Sequence, residues 1–241
     1  MSPNAQGTAY GNQISFTTPT GSHLNGDITY GSLTDQDGNT YATVTIGSQV
    51  WMAENLRATS YTNGDPIPNA AEASGWGWDA PETGAWCLYN NDPIFDQVMG
   101  KLYNWYAVTD PRNLCPSGWH VPTELDWQAM ELELGMPVED LDLTGNRGID
   151  EQVGLKLRSA GGQYWTGTMP ATNESGFSGI AAGRRNLDGP FVTLVQDAWW
   201  WTATGAGGND ARTRSLNYSS AGVDAIHVVY PVGLSVRCVM D

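Results

Sequence analysis

The sequence predicts an α+β fold, because a hairpin pattern, helical segments and a further set of strands follow one another along the chain. Residues 40–51 alternate apolar and polar positions around a glycine turn, which is typical of a β-hairpin. Residues 122–134 combine a helix-capping sequence with an apolar stripe. From Trp165 onward, short alternating or apolar segments separated by turn residues indicate strands joined by long loops.

The first 30 residues differ from the rest and predict a short β tail. Ile14 and Phe16 alternate with polar neighbours and are followed by a linker rich in Gly, Ser and Asn. We therefore interpret residues 1–30 as a tail and linker, with the last strand of a preceding β-sandwich module as one origin. The main domain is predicted over residues 31–241. Its first turn, residues 35–39, begins like a calcium loop, but Ile46 stands where a bidentate Glu is required, which favours a plain turn.

Three helices are predicted in the middle of the chain. Residues 97–108 place Val98, Leu102, Trp105 and Tyr106 on one face. The second helix spans 122–134, where Thr123 and Asp126 form a capping box. Its expected apolar stripe consists of Leu125, Ala129 and Leu132, with Trp127, Met130 and Leu134 beside it. A short third helix is predicted over residues 150–158.

The remaining strands are predicted at 177–182, 191–195, 199–204, 212–218, 225–230 and 234–240. Side chains alternate across a strand, so one side of the 212–218 strand is expected to carry Arg214, Leu216 and Tyr218. The opposite side is expected to carry Thr213, Ser215 and Asn217 and to face outward. Residues 226–230 are apolar and indicate either a core strand or an exposed contact patch.

Composition and charge exclude several function classes. The formal net charge of −15 arises from 26 acidic and 11 basic residues, which disfavours nucleic acid and anionic membranes as partners. No stretch of 18 apolar residues indicates membrane insertion. Residues 1–7 contain no basic region before an apolar run, so no signal peptide is visible.

No catalytic or metal-binding spacing is present. His23, His120 and His227 are scattered, and GxSxG, GxGxxG, P-loop and CxxC motifs are absent, so we predict no cofactor and no metal. Of the three cysteines, Cys115 and Cys238 could join the middle of the chain to its end. That pairing would close a loop of about 120 residues and contribute about 4 kcal/mol. The sequence leaves this pairing open, and Cys87 is expected to be a buried apolar side chain.

Several segments together resemble one protein family. The most distinctive reads Cys-Pro-Ser-Gly-Trp-His-Val-Pro-Thr-Glu over residues 115–124. Its companions lie at 43–47, 51–56, 61–64, 86–92, 100–108, 173–177, 183–185, 200–201 and 235–238. In this order they resemble the Fibrobacter succinogenes major paralogous domain. The resemblance implies a C-type-lectin-like fold, in the variant found in formylglycine-generating enzymes, and an extracellular or cell-surface domain without catalytic machinery.

The resemblance also implies where a ligand would bind. Some members are targets of diversity-generating retroelements, which vary the end of a gene, and residues 197–241 are similar to such a variable region. The implied partner is a surface protein or glycan of another cell, and the implied location is extracellular, on a cell surface or on a phage particle. The expected ligand-binding residues are Trp199, Asp210, Arg212, Thr213, Ser215, Asn217, Ser219, Ser220, Asp224, Ala225, His227, Val229 and Tyr230.

Two alternatives remain beside this hypothesis. One is a fixed carbohydrate- or protein-binding module, in which exposed Trp76, Trp78 or Trp165 would stack on sugar rings. The calcium-binding tripeptides of true C-type lectins are absent. The more remote alternative is an oxidase of the formylglycine-generating type. That chemistry requires a close pair of cysteines late in the chain, where only Cys238 stands.

Overall fold

The predicted hairpin is present, and it belongs to the same sheet as the last strand of the chain. The structure, a computed structural model, describes residues 23–71, 82–160, 162–167 and 169–241. The first sheet has the order β1-β2-β3-β13-β6, so the last strand pairs with both the hairpin and the strand at Trp119. Its strands are β1 (Gly31–Thr34), β2 (Thr40–Ile46), β3 (Gln49–Met52), β6 (Trp119–His120) and β13 (Val239–Met240).

A second, antiparallel sheet contains most of the predicted C-terminal strands in the order β10-β11-β12-β7. Its strands are β7 (Gly145–Arg147), β10 (Asp197–Gly207), β11 (Asp210–Asn217) and β12 (Val223–Val229). The described residues also form two short pairs: β4 (Trp86–Cys87) with β5 (Leu102–Tyr103), and β8 (Arg184–Arg185) with β9 (Phe191–Val192). The helices are α1 (Asp96–Met99), α2 (Trp105–Val108), α3 (Glu124–Glu133) and α4 (Val153–Leu157). The predicted mixture of helix and sheet is confirmed.

The prediction of a continuous helix over residues 97–108 is wrong. Gly100 has a φ of 73° and ends α1, and a Cβ at this position would lie 2.7 Å from the Cβ of Asn55. The chain then extends into β5 before Asn104 caps α2 by accepting a hydrogen bond from the Ala107 N–H. Gly100 therefore lies between two helical segments, at a point where the backbone comes close to Asn55 and leaves no room for a side chain.

Helix α3 begins where the sequence predicts, but its buried face differs. The capping box between Thr123 and Asp126 is present. Leu125 is 74% exposed and Leu132 is 46% exposed, so the expected stripe through these residues is wrong. The buried side chains are Glu124, Trp127, Met130 and Glu131. Two of these are carboxylates that meet buried arginines, which an apolar-periodicity argument does not detect.

Of the predicted strands, one does not form and two are shorter than expected. Residues 177–182 form no strand and pair only through an isolated bridge at Gly179. The 191–195 segment is a strand only in β9, because Thr193 and Val195 adopt positive φ values. The 234–240 segment pairs through single bridges until β13. The third helix is confirmed within its predicted range.

Aromatic rings dominate the core. In one cluster the rings of Trp51, Trp127, Phe177 and Trp200 contact one another with centroid separations of 5.2–6.0 Å. The end of the predicted tail packs on this cluster through Leu24, Ile28 and Tyr30. The strand expected at residues 14–16 lies outside the described residues. Within the described part of the chain, no helix is both long and apolar enough to cross a membrane.

Candidate functional site

The sheet that carries the expected binding residues has an inner side, which faces α3. Arg214 lies there with 1% exposure and donates to both Glu124 and Glu131, with N···O distances of 2.6–2.9 Å for the closest contacts. Arg147 from β7 donates to Glu131 at 2.9 Å. Burial lowers the pKa of Arg214, but the two carboxylates raise it, and the net shift is upward. This buried network of two carboxylates and two guanidinium groups fixes the sheet on the helix.

A second buried network holds the end of the chain against the same sheet. The Arg237 Nε donates to the Asn55 Oδ1 at 2.9 Å, and its other nitrogens donate to the carbonyl oxygens of Phe177 and Ser178. The Trp200 Nε1 donates to the same Asn55 oxygen at 3.0 Å. Trp200 and Arg237 therefore belong to one buried frame through Asn55.

The opposite, outer side of the sheet shows the predicted alternation but not the predicted exposure. The register pairs Thr213 with Trp201 and Ile226, and Ser215 with Trp199 and Asp224. Thr213 is fully buried and Ser215 is 3% exposed, so the expectation that both face solvent is wrong. The outer side packs on a second core cluster through Trp201. The Thr213 hydroxyl donates a hydrogen bond to the Ile226 carbonyl oxygen at 3.0 Å.

The other expected binding residues do not share one face. Trp199, Asn217 and Asp224 follow the outer side, whereas Ser219 and Ser220 lie in the turn between β11 and β12. The side that faces α3 carries Asp210, Arg212, Ala225, His227 and Val229. Ala225 is buried there, which contradicts its expected exposure, because it pairs with Arg214 beneath the helix.

Partly buried aromatic and aliphatic side chains form what we call the outer patch, defined as Trp105, Trp199, Ile226 and Tyr230. Each packs on the second core cluster and keeps part of its surface open. The rings of Trp105 and Tyr230 stack with centroids 4.2 Å apart. The Arg184 guanidinium lies 4.6 Å from the ring centre of Trp199. Rings held in this way present a rigid surface that is partly apolar and partly polar.

An acidic edge borders the outer side of the sheet. Burial raises the pKa of Asp224, and the negative charge of Asp197 raises it further, while a hydrogen bond with Asn146 opposes the shift. The Asn217 side-chain amide donates to the Asp197 Oδ1 at 2.6 Å. The edge therefore contains half-buried polar groups close to the turn that follows β11.

Sequence reasoning missed two parts of this surface. The sequence marks Arg184 only as part of a family segment, and it predicts Trp105 on the apolar face of a helix. The alternation of β12 places Ile226 beside Thr213 and could have indicated its side of the sheet. The position of Trp105 depends on the break at Gly100, which brings α2 under the outer side of the sheet.

The model of the Fibrobacter succinogenes major domain family matches residues 44–240. The chain belongs to this family. No curated protein and no solved structure matches the chain. The matched range contains both sheets except β1 and the first four residues of β2, and it contains both buried networks. The frame described above is therefore the part that belongs to the Fibrobacter succinogenes major domain.

The cysteines of this major domain are divided between a disulfide and a buried thiol. Cys115 and Cys238 are bonded, which settles the pairing that the sequence left open. Cys87 is buried and unpaired, and burial raises the pKa of its thiol to about 11. Such a thiol is protonated at neutral pH and is a poor nucleophile or metal ligand.

His120 and Trp165 have structural contacts and do not form an open binding site. His120 contacts Asp126 and Asp241 at the capped end of α3, as a structural residue would. Groups of three or more potential metal ligands are absent from the described residues. Trp76 and Trp78 lie outside the described residues. Trp165 is 5% exposed, so the expectation that it offers an open ring to sugars is wrong.

Proposed function

We propose that this chain is a non-catalytic, extracellular binding domain whose ligand contacts the outer patch. The outer patch is the observation that carries this proposal. Trp199 and Ile226 on the C-terminal sheet keep part of their surface open, as do Trp105 of α2 and Tyr230 after β12. Two buried networks hold this sheet in place. Rigid aromatic side chains are the residues that contribute most to protein recognition surfaces.

The proposed fold is C-type-lectin-like. Two features support it: the last strand returns between the first hairpin and β6, and Cys238 is bonded to Cys115 beside β6. In such a fold the frame is closed by the two ends of the domain, which leaves the intervening loops and strands free to carry a binding surface. The disulfide also favours an oxidising, extracellular location.

The absence of catalysis is supported by how the ionisable side chains are used. Glu124 and Glu131 are both engaged by arginines, and Asp126 is engaged by the helix cap and His120. The formylglycine-generating alternative requires two thiols close together, whereas Cys238 is bonded to Cys115 and Cys87 is buried elsewhere. These arrangements favour binding over the oxidase hypothesis.

The proposed partner is a protein or glycan on another cell. A net charge of −15 opposes contact with other acidic surfaces, so we expect recognition by shape and by aromatic contact. We further propose that the domain is a target of retroelement diversification. The side chains that could vary without disturbing the core are Asn217, Ser219, Ser220, Asp224 and His227, which the structure leaves at least partly exposed.

Sequencing the 3′ end of this gene across a natural population of its carrier tests diversification. Substitutions should concentrate at codons 217, 219, 220, 224 and 227. The buried positions 213, 215 and 225 should be constant, together with Trp200 and Arg237 of the frame. A uniform 3′ end would contradict diversification and favour a fixed binding module. Variation spread equally over buried and exposed codons would contradict the assigned surface.

Binding itself is tested with the fluorescently labelled domain on a glycan array and on intact bacterial cells. The double variant Trp199→Ala/Tyr230→Ala should lose most of the bound signal while its near-UV circular dichroism and thermal unfolding show a folded domain. The matched control is Leu125→Ala/Leu143→Ala, which removes exposed apolar side chains that are not part of the outer patch. Equal loss in both double variants, or no loss in the first, would contradict the outer patch as the ligand surface.

A further inference from the structure

A second site is indicated by a partly enclosed pocket that follows helix α4. The pocket has a volume of about 240 Å³, comparable to the volume of about eight water molecules in the liquid. Its polar lining comes from Arg158 and Ser159, and its apolar lining includes Trp165, Met169 and Pro170. The site therefore combines one cationic group with a small apolar enclosure.

Arg158 is a buried cation without a carboxylate partner among the described residues. Arg158 is 1% exposed, and its Nη1 donates to the carbonyl oxygens of Asn217 and Tyr218 at 3.4 Å each. Its Nε is buried and has no hydrogen-bond partner among the described residues. Burial lowers the pKa of Arg158 to about 10. Arg214 differs, since two carboxylates surround its guanidinium.

Ser159 adds a second buried donor without a partner. Its hydroxyl makes no hydrogen bond to a described residue, although its backbone N–H donates to the Gly179 carbonyl at 2.8 Å. A buried polar group left in this state destabilises a protein by about 1–3 kcal/mol. Two such donors, adjacent in sequence and lining one pocket, indicate that an acceptor belongs between them.

We propose that this pocket binds a small carboxylate with a short apolar body. The Nε edge of a guanidinium group is suited to the two oxygens of a carboxylate, and the Ser159 hydroxyl supplies a third donor. The Trp165 ring lies 4.2 Å from the guanidinium carbon and holds that group in one orientation. Met169 and Pro170 offer apolar contact to the rest of the ligand.

The charge of the pocket favours a singly charged anion. Arg158 is the one cationic side chain among the described residues that line the pocket. Removing a multiply charged phosphate from water costs more than removing a monocarboxylate, and a single guanidinium group compensates that cost less completely. The contacts of Arg158 with Asn217 and Tyr218 place the ligand beneath the turn between β11 and β12.

Titration of the ¹⁵N-labelled domain with sodium butyrate, followed by NMR, tests the site. The indole N–H signal of Trp165, assigned from a Trp165→Phe variant, should shift and saturate with a millimolar Kd. Butyramide, which is neutral and nearly isosteric, should leave the signal unchanged. Inorganic phosphate should produce a weaker response. No saturable shift with butyrate, an equal response to butyramide, or a preference for phosphate would each overturn the proposal.

Two variants localise the binding. Arg158→Met should weaken butyrate binding at least tenfold, and Ser159→Ala should weaken it several-fold. The matched control is Arg112→Met, because Arg112 also lies over an aromatic ring but is paired with Asp65 and Asp110. If Arg158→Met does not fold, Ser159→Ala decides the matter, since it removes only an unpartnered hydroxyl. Unchanged affinity in Ser159→Ala, or an equal loss in Arg112→Met, would contradict the site.

Discussion

Buried arginines occur throughout this molecule, and each is accommodated in a different way. Arg214 is neutralised by two carboxylates, whereas Arg237 is surrounded by carbonyl and amide oxygens. Burial lowers the pKa of Arg237 to about 9, although the negative charge of Glu54 opposes the shift. Because one guanidinium group reaches several carbonyls, such residues connect loops that have little regular structure.

Trp127 is the residue whose loss should disturb the core most clearly. Its ring is 1% exposed and contacts Trp51, Phe177 and Trp200. We expect Trp127→Ala to lower the free energy of unfolding by about 3–5 kcal/mol in urea denaturation. Leu125→Ala on the same helix is the control and should change it by less than about 0.5 kcal/mol, because Leu125 is 74% exposed. Equal effects would contradict the assigned orientation of α3.

His23 should make stability depend on pH. Burial, followed by the positive charges of Arg237 and Arg57, lowers the pKa of His23 from 6.5 to about 4. The unfolded chain therefore binds this proton more readily than the folded one between pH 6.5 and 4. Stability present above pH 6.5 is lost as the pH falls through this window, by about 3 kcal/mol in total.

The measurement compares wild type with His23→Phe by urea denaturation at pH 7 and pH 4.5. The ring of Phe keeps the edge contact with Tyr164 but cannot titrate. Wild type should lose about 2–3 kcal/mol more than the variant on acidification. Identical losses would show that His23 is already charged, or solvated, in the folded state.

At the scale of the elements, local sequence predicted those features that short-range chemistry determines. The capping box at Thr123 and the glycine turn of the first hairpin were confirmed. The helix over 97–108 failed because Gly100 meets Asn55, a contact made across the fold. The buried face of α3 was misassigned because Glu131 is paired with arginines from two distant strands.

The candidate surface was predicted in part for a related reason. Alternation along β11 correctly separated Arg214 from Thr213. Exposure on the outer side, however, depends on what packs there, and Trp201 and Tyr103 belong to a core cluster that the alternation does not indicate. Thr213 and Ser215 are therefore buried polar residues rather than surface positions.

The pairing between α3 and the C-terminal sheet can be tested through Glu131. Glu131→Gln keeps the volume of the side chain but removes the charge that partners Arg147 and Arg214. We expect the free energy of unfolding to fall by about 3–5 kcal/mol, because the two buried cations are left incompletely compensated. Glu133→Gln, an exposed change on the same helix, should lower it by less than about 0.5 kcal/mol. A small effect of Glu131→Gln would show that water reaches the network.

At the scale of the whole molecule, the first and last parts of the domain are joined repeatedly. Strand β13 pairs with β3 at Trp51 and with β6 at Trp119 and His120. Before it, Arg237 reaches Asn55, and Cys238 is bonded to Cys115. This closure holds the intervening chain as one unit, and the outer patch lies on that unit.

The disulfide should contribute much of the stability of this closure. It joins residues separated by 123 positions, so its loss should lower the free energy of unfolding by about 4 kcal/mol through the greater entropy of the unfolded chain. The test is the double variant Cys115→Ala/Cys238→Ala in chemical denaturation, with Cys87→Ala as the control that removes a buried sulfur but no crosslink. The double variant should have a lower free energy of unfolding than Cys87→Ala. Once its disulfide is reduced, the wild-type protein should be no more stable than the double variant. If the double variant equals wild type, strand pairing and the Arg237 network alone close the domain.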